Sequence, residues 1–116
     1  MDIDAAKQLC RSFPGCVEDI KWGDNLVFSV GTKMFAVTHV DASADAISFK
    51  VEDERFLELT DRAGIIPAPY LARARWVQVQ RTAKLSNAEA SALLRRSYEL
   101  VFAKLTRKLQ RELSVA

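Results

Sequence analysis

Two short segments with β-strand character, separated by only three residues, place the strongest limit on how this chain can fold. Residues 26–30 (LVFSV) and 34–40 (MFAVTHV) are rich in β-branched and aromatic residues, and the linker 31–33 begins with glycine. So short a linker can join strands only as an antiparallel hairpin. Residues 17–22 and 46–51 alternate apolar and polar residues on either side of it. The sequence therefore predicts a meander of three or four antiparallel strands.

Side-chain alternation assigns the residues of the second hairpin strand to the two faces of the sheet. If the pairing is regular, Val37 and His39 share one face, and the other face holds Met34, Ala36, Thr38 and Val40. A lone histidine in a strand is usually a structural or surface residue. We therefore expect His39 to have no catalytic role.

Helical patterns flank these strands. Residues 3–13 have apolar residues near helical spacing after an acidic cap, and Pro14-Gly15 ends the pattern. Residues 53–62 begin with two acidic residues, which suit the first turn of a helix. Both segments are predicted to be helices that pack on the sheet.

The last helix is predicted to be long. Ser86 and Glu89 form a capping box at its start, and the helical pattern continues to residue 112. Its buried face would consist of Ala90, Leu94, Tyr98, Val101, Leu105 and Leu109. A basic stripe, Lys104, Arg107, Lys108 and Arg111, lies about 110° away around the helix. This stripe either contacts an anionic partner or complements the negative end of the helix dipole.

The remaining segment completes the fold prediction. Residues 65–74 cannot form one regular helix, because Pro67 and Pro69 restrict the residues before them to extended backbone. Residues 76–80 (WVQVQ) alternate as a strand. The order α-β-β-β-(β)-α-β-α predicts an α+β fold in which helices pack on an antiparallel sheet. No composition break divides the chain, so we expect one domain over residues 1–116.

The sequence has no recognisable catalytic or metal-binding motif. It lacks GxSxG, GxGxxG and Walker A patterns, and Cys10, Cys16 and His39 cannot complete a four-ligand zinc site. We therefore expect no enzymatic activity, no cofactor, no metal and two reduced thiols. Because the N-terminal segment is polar and no apolar run approaches a membrane span, we expect a cytoplasmic location without membrane contact.

Charge is divided unevenly along the chain. Residues 1–61 contain six Lys and Arg against twelve Asp and Glu, a net charge of −6, whereas residues 62–116 contain eleven against three, a net charge of +8. Such asymmetry indicates a polyanionic partner. The alternative is that the two halves neutralise each other across the fold, and both interpretations stay open.

Basic residues concentrate around the predicted strand 76–80. Arginine and lysine there, and at hairpin tips, can contact phosphates, and aromatic rings such as that of Tyr70 can stack on bases. For Trp22 and Trp76 we favour burial in the core over stacking. The residues expected to bind nucleic acid are Lys33, Arg73, Arg75, Arg81, Lys84, Lys104, Arg107, Lys108 and Arg111.

Taken together, several segments resemble the MmcQ/YjbR family of small bacterial proteins. These are Pro14-Gly15, VEDIKWG (17–23), FSVGTKMFAV (28–37), ISFKV (47–51), IIPAPYLARARWVQV (65–79) and SYELVFAKLTRK (97–108). They occur in the expected order and cover nearly the whole chain.

The resemblance implies an α-β(3)-α-β(2)-α fold, similar to the double wing of the phage transcription factor MotA. It also implies DNA binding through a sheet surface and the loops beside it, which here nominates Lys33, Arg73, Arg75 and Arg81. The family implies no established catalytic site. Thr106 stands where the family often has proline, which favours a helix that continues through Lys108.

These observations predict a protein that binds double-stranded DNA with little sequence preference, as a monomer or a weak homodimer. Two alternatives stay open. One is a non-enzymatic interaction or adaptor domain, similar to secretion chaperones, with an exposed apolar patch of Phe102, Leu113 and Val115. The other is a small-molecule pocket under the PAPY segment, lined by Tyr70 and Trp76.

Overall fold

The computed structural model describes residues 2–40 and 45–114. Its elements are α1 (Ile3–Ser12), β1 (Cys16–Lys21), β2 (Asn25–Val30), β3 (Lys33–His39), β4 (Ala46–Lys50), α2 (Asp53–Thr60), β5 (Ile65–Pro67), a 3₁₀ turn (Ala72–Ala74), β6 (Trp76–Gln80), α3 (Asn87–Phe102) and α4 (Arg107–Ser114). The sequence DASAD (41–45) also predicts a turn, and most of this segment lies outside the described residues. No helix in the described part of the chain is long and apolar enough to cross a bilayer.

The six strands form one antiparallel sheet in the order β1-β2-β3-β4-β6-β5. This confirms the α+β prediction. Four strands precede α2 and two follow it, so the first group has one strand more than the β(3) group that the resemblance implied. The second group includes β5, whose Pro67 is tolerated because β5 is an edge strand.

A bulge in the β2–β3 hairpin changes which side chains reach each face of the sheet. The adjacent residues Phe28 and Ser29 of β2 pair with Ala36 and Met34 of β3, respectively. Phe35 lies between those two partners and is therefore an extra residue on β3. The expectation of regular alternation is therefore wrong at this point. Phe35 and Ala36 are both fully buried, while Met34 lies on the same side of the sheet as Val37.

The main core lies between the sheet and helices α1 and α3, and Phe35 is at its centre. The Phe35 ring lies 5.9 Å from that of Phe13 and 5.4 Å from that of Tyr98, between ring centroids. The buried Ser97 hydroxyl donates a hydrogen bond to the Phe35 carbonyl (2.8 Å) and accepts one from the Lys50 N–H (3.0 Å). These bonds fix the position of α3 on β3 and β4.

The start of the predicted last helix is confirmed, but its length is wrong. The Ser86 hydroxyl accepts a hydrogen bond from the Glu89 N–H at 3.1 Å, as expected for a capping residue. However, α3 ends at Phe102 and a separate helix, α4, begins at Arg107. Lys104 lies in the turn between them, so the four basic residues do not form one helical stripe.

Side chains at the break satisfy backbone groups that an unbroken helix would have paired. Thr106, expected to continue the helix, instead accepts a hydrogen bond from the Leu109 N–H at 3.2 Å. The Gln110 amide donates to the carbonyls of Phe102 and Leu105 at 3.1 and 3.0 Å. The break lets Leu105 and Leu109 both pack inward against the β2–β3 hairpin.

The apolar patch expected for an adaptor domain is not formed by the residues proposed for it. Phe102 and Leu113 are half-buried and pack against the main core. Val115 lies outside the described residues. The exposed apolar side chains lie elsewhere, chiefly on β1 and around the turns beside the sheet.

Both cysteines are free thiols, and burial makes them poor nucleophiles. Burial raises the pKa of Cys10 to about 12 and that of the half-buried Cys16 to about 11, from an ordinary value of 9.0. Because the thiolate is the reactive form, labelling of the folded protein by a thiol reagent at pH 8 should be about a hundredfold slower than in urea. Equal labelling rates in the two conditions would contradict the burial of these thiols.

Candidate nucleic-acid interface

Helices α1 and α3 pack on one face of the sheet, and the opposite face, called here the open face, carries a row of residues that crosses all six strands. In strand order the row consists of Asp19, Val27, Val37, Ser48, Gln78 and Ile66. Side chains two positions away along a strand share the same face. Lys50 and Trp76, which pair with each other on β4 and β6, therefore also belong to the open face.

A groove of about 550 Å³ lies on the open face between two turns. It is lined by Trp22 and Asn25 from the β1–β2 turn, by Met34, Val37, Ser48 and Gln78 from the strands, and by residues 68–71 from the turn after β5. The bulge on β3 is what brings Met34 to this face. The volume is in the range of small-molecule sites, about 300–1,000 Å³, and the lining combines apolar walls with a few polar groups.

Two exposed aromatic side chains stand at the walls of this groove. Trp22 is 68% exposed and Tyr70 is fully exposed. Both have left-handed backbone, with φ of 50° and 67°. Bulky residues rarely adopt this conformation, and it costs about 1–3 kcal/mol at each position. Such strain concentrates at functional sites.

The backbone around Tyr70 explains how its ring is displayed. The Leu71 N–H donates a hydrogen bond to the Ala68 carbonyl at 3.1 Å, which closes a β-turn with Pro69 and Tyr70 at its centre. Since proline requires a negative φ at the first central position, the positive φ of Tyr70 at the second makes this a type II turn. Glycine or asparagine normally occupies that second position, so the chain places a tyrosine where a small residue would be less strained.

The two tryptophans behave differently. Trp76 is buried, as expected, at 4% exposure. The expectation that Trp22 is also buried is wrong. Trp22 directly follows β1 and begins the turn, and its carbonyl accepts a hydrogen bond from the Asn25 side-chain amide at 3.2 Å. The neighbouring Gly-Asp-Asn turn sequence was the available signal that Trp22 lies at a loop rather than in a core strand.

Three lysines line one cleft at an end of the sheet, and of these Lys50 belongs to the open face. Lys33, Lys50 and Lys104 line a cleft of about 440 Å³ together with Trp76, Met34 and Val101. Met34 also lines the groove, so the cleft and the groove meet at this residue. Lys33 and Lys104 were expected to bind nucleic acid, whereas Lys50 was not singled out. Its ammonium group donates a hydrogen bond to the Ala74 carbonyl, which holds it at the cleft.

The other end of the open face carries Arg81. This residue lines a cleft of about 500 Å³ with His39, Asp45 and Thr82, and Gln78 lines both that cleft and the groove. The Arg81 N–H donates to the Asp45 carbonyl at 2.6 Å, and Arg81 has a further interaction within the protein. A basic side chain therefore lies beyond each end of the groove, and at the Arg81 end Asp45 accompanies it.

The remaining predicted residues do not join this surface. Arg75 pairs with Asp53, with 3.3 Å between its Nε and Oδ1, and lies 5.4 Å over the Phe56 ring, so it belongs to the contact with α2. Arg107 and Arg111 line a separate cleft on α4. Among the described residues, exposed Arg73, Lys84 and Lys108 line none of these clefts. The nine predicted residues are therefore divided between several surfaces.

Part of the charge asymmetry is neutralised across the fold. Arg96 on α3 pairs with Glu52 at 3.2 Å, so a second-half arginine meets a first-half carboxylate. Arg62 bonds Glu89 at 2.9 Å and Glu58 at 3.1 Å. The hydrogen bond from Arg62 lowers the pKa of Glu89. Neutralisation therefore accounts for these arginines but not for the three lysines of the cleft.

Comparison with known proteins decides the family. The sequence profile of YjbR matches residues 11–100. The chain belongs to the YjbR family. Every residue of the groove falls within the matched segment, whereas Lys104 and helix α4 lie beyond it. None of the curated proteins matches the chain.

Solved structures share this YjbR fold. A Deinococcus radiodurans protein with a DUF419 domain is 31% identical in sequence to this chain and superposes on it with a TM-score of 0.84. The match covers 98% of this chain and 88% of the Deinococcus chain. A crystal structure from Pseudomonas syringae is 21% identical, with coverage of 87% and 99% and a TM-score of 0.72. A solution NMR structure from the same organism is 24% identical, with coverage of 85% and 88% and a TM-score of 0.61. These matches confirm the resemblance and the YjbR-like fold class.

Proposed function

We propose that this YjbR-family protein binds DNA on the open face of its sheet. The observation that carries the proposal is that the groove shares a lining residue with each of two basic clefts: Met34 with the three-lysine cleft and Gln78 with the cleft that holds Arg81. Lysine and arginine side chains at the ends of such a surface are suited to contact phosphates.

The lysine cleft supplies most of the expected binding energy. Lys33 and Lys104 are exposed, and Lys50 lies beside them. If these three neutralise three phosphates, log K should fall with log salt at a slope of about −2 to −3. This slope is modest, in keeping with a protein whose net charge is only +2. Binding of this kind is sensitive to salt and carries little sequence preference.

A charge-reversal experiment tests the proposal. We expect the double variant Lys33→Glu/Lys104→Glu to weaken binding of a fluorescent duplex by about 10- to 100-fold at about 50 mM salt, measured by anisotropy. Both side chains are exposed, so the fold should be retained. Circular dichroism checks this.

The matched control reverses two exposed charges that line neither the groove nor the two clefts beside it. Lys84→Glu/Lys108→Glu makes the same change in net charge, and we expect less than about a threefold loss of affinity. Absence of binding by the unmodified protein at low salt would refute the proposal. Equal losses in the two double variants would refute the assignment of the lysine cleft, because net charge alone would then explain binding.

A further inference from the structure

We infer that the groove between Trp22 and Tyr70 receives the unpaired bases of a single DNA strand, so that the protein binds single strands in preference to duplexes. This inference rests on the proposed function and specifies the form of nucleic acid that the open face accepts. It depends on three observations: the displayed aromatic rings, the polar floor of the groove, and the charge at its two ends.

The aromatic rings are displayed in conformations that small residues would adopt with less strain. Tyr70 occupies the glycine position of a type II turn, and Trp22 has left-handed backbone at the start of the β1–β2 turn. Neither ring is needed to fill the main core. Two exposed rings that line one groove offer flat apolar surfaces to a flat ligand. Base stacking on such rings is tolerant of sequence.

The floor of the groove supplies polar groups that can meet the edges of bases. Asn25 and Gln78 each offer an amide donor and acceptor, and Ser48 offers a hydroxyl. Met34 and Val37 lie between them and provide apolar contact. Amide side chains next to an aromatic wall are a combination that proteins use to read unstacked bases.

The charges at the two ends fit a strand that crosses the groove. β4 runs from Ala46, in the cleft of Arg81, to Lys50, in the lysine cleft. This distance is about 13 Å along the strand, enough for a few nucleotides. Phosphates on either side of the stacked bases would then lie near Lys50 and Arg81. A paired base offers only its edges in the grooves of a duplex, so it cannot stack on Trp22 or Tyr70.

Asparagine variants separate binding from folding. Trp22→Asn and Tyr70→Asn remove the rings and insert a residue that tolerates left-handed backbone. We therefore expect each variant to melt at the same temperature as the unmodified protein or up to about 5 °C higher. The matched control is Leu57→Asn, which replaces an exposed apolar residue on α2, 79% exposed and outside the groove lining.

The test compares a labelled single strand with the duplex of the same sequence at about 50 mM salt, by anisotropy. We expect the unmodified protein to bind the single strand at least about fivefold more tightly. Trp22→Asn and Tyr70→Asn should each lower the affinity for the single strand by about 5- to 50-fold and the affinity for the duplex by less than about twofold. Leu57→Asn should bind both as the unmodified protein does.

Three results would overturn the inference. In the first, single strand and duplex bind with equal affinity and the asparagine variants bind as the unmodified protein does, while Lys33→Glu/Lys104→Glu still weakens binding. The proposed function would then stand, but the groove would not be a site for bases. If a free mononucleotide competes as strongly as the strand at equal nucleotide concentration, the groove is a nucleotide site instead. If neither nucleic acid binds, the proposed function fails and the inference fails with it.

Discussion

Replacing Phe35 by alanine is expected to lower the free energy of unfolding by about 3–5 kcal/mol. The Phe35 side chain is fully buried, and its ring contacts those of Phe13, Phe28 and Tyr98. Phe35 is the extra residue of the bulge and has no paired residue on β2. Folded domains have about 5–15 kcal/mol of stability in total, so the variant should be close to unfolding.

Urea denaturation followed by far-UV circular dichroism measures this effect. Leu57→Ala is the matched control, since Leu57 is 79% exposed, and it should change the free energy of unfolding by no more than about 0.5 kcal/mol. A Phe35→Ala variant as stable as Leu57→Ala would show that Phe35 does not lie at the centre of the core.

Replacing Gly64 by alanine is expected to cost about 2–4 kcal/mol. Gly64 lies between α2 and β5 with φ of 86°, a conformation that itself costs alanine about 1–2 kcal/mol. A Cβ atom there would also lie 2.8 Å from both Cα and Cβ of Ala83. Backbone atoms cannot move aside as the end of a long side chain can, so the clash must be relieved by displacing β5 or the chain at Ala83.

Gly23→Ala is a matched control for the backbone contribution. Gly23 has nearly the same φ, 92°, but no atom lies within 4 Å of a Cβ built there. We expect this variant to lose only about 1–2 kcal/mol in the same urea titration. Equal losses at the two positions would mean that the close packing of Gly64 on Ala83 contributes nothing.

Features set by neighbouring residues could be predicted from the sequence. The hairpin and the capping residue Ser86 each depend on a few adjacent residues, and both are confirmed. The break between α3 and α4 could not be found from periodicity, because Leu105 and Leu109 continue the apolar spacing across it. The turn keeps both residues facing the core, so the pattern is that of an unbroken helix. Only Thr106, a good capping residue, indicated the second start.

The candidate site was harder to predict from the sequence, because its residues come together only through contacts between segments that are distant in the chain. Lys33 and Lys104 were predicted individually, and the fold places them in one cleft. Lys50 joins them through the pairing of β4 with β6, which no local pattern contains. Arg75 was predicted to bind phosphate, but Asp53, distant in sequence, is its ion-pair partner. The distribution of charge along the sequence therefore identified the positive half of the chain. It could not distinguish arginines that form ion pairs from lysines that share a cleft.

The unequal exposure of the two tryptophans, 4% for Trp76 and 68% for Trp22, gives the protein two built-in optical reporters. Trp76 should emit at short wavelength and resist quenching by iodide until the chain unfolds. Trp22 should emit at long wavelength, quench readily and respond to whatever enters the groove. Since the chain has only these two tryptophans, one unlabelled sample can report occupancy of the open face and unfolding of the domain as separate signals.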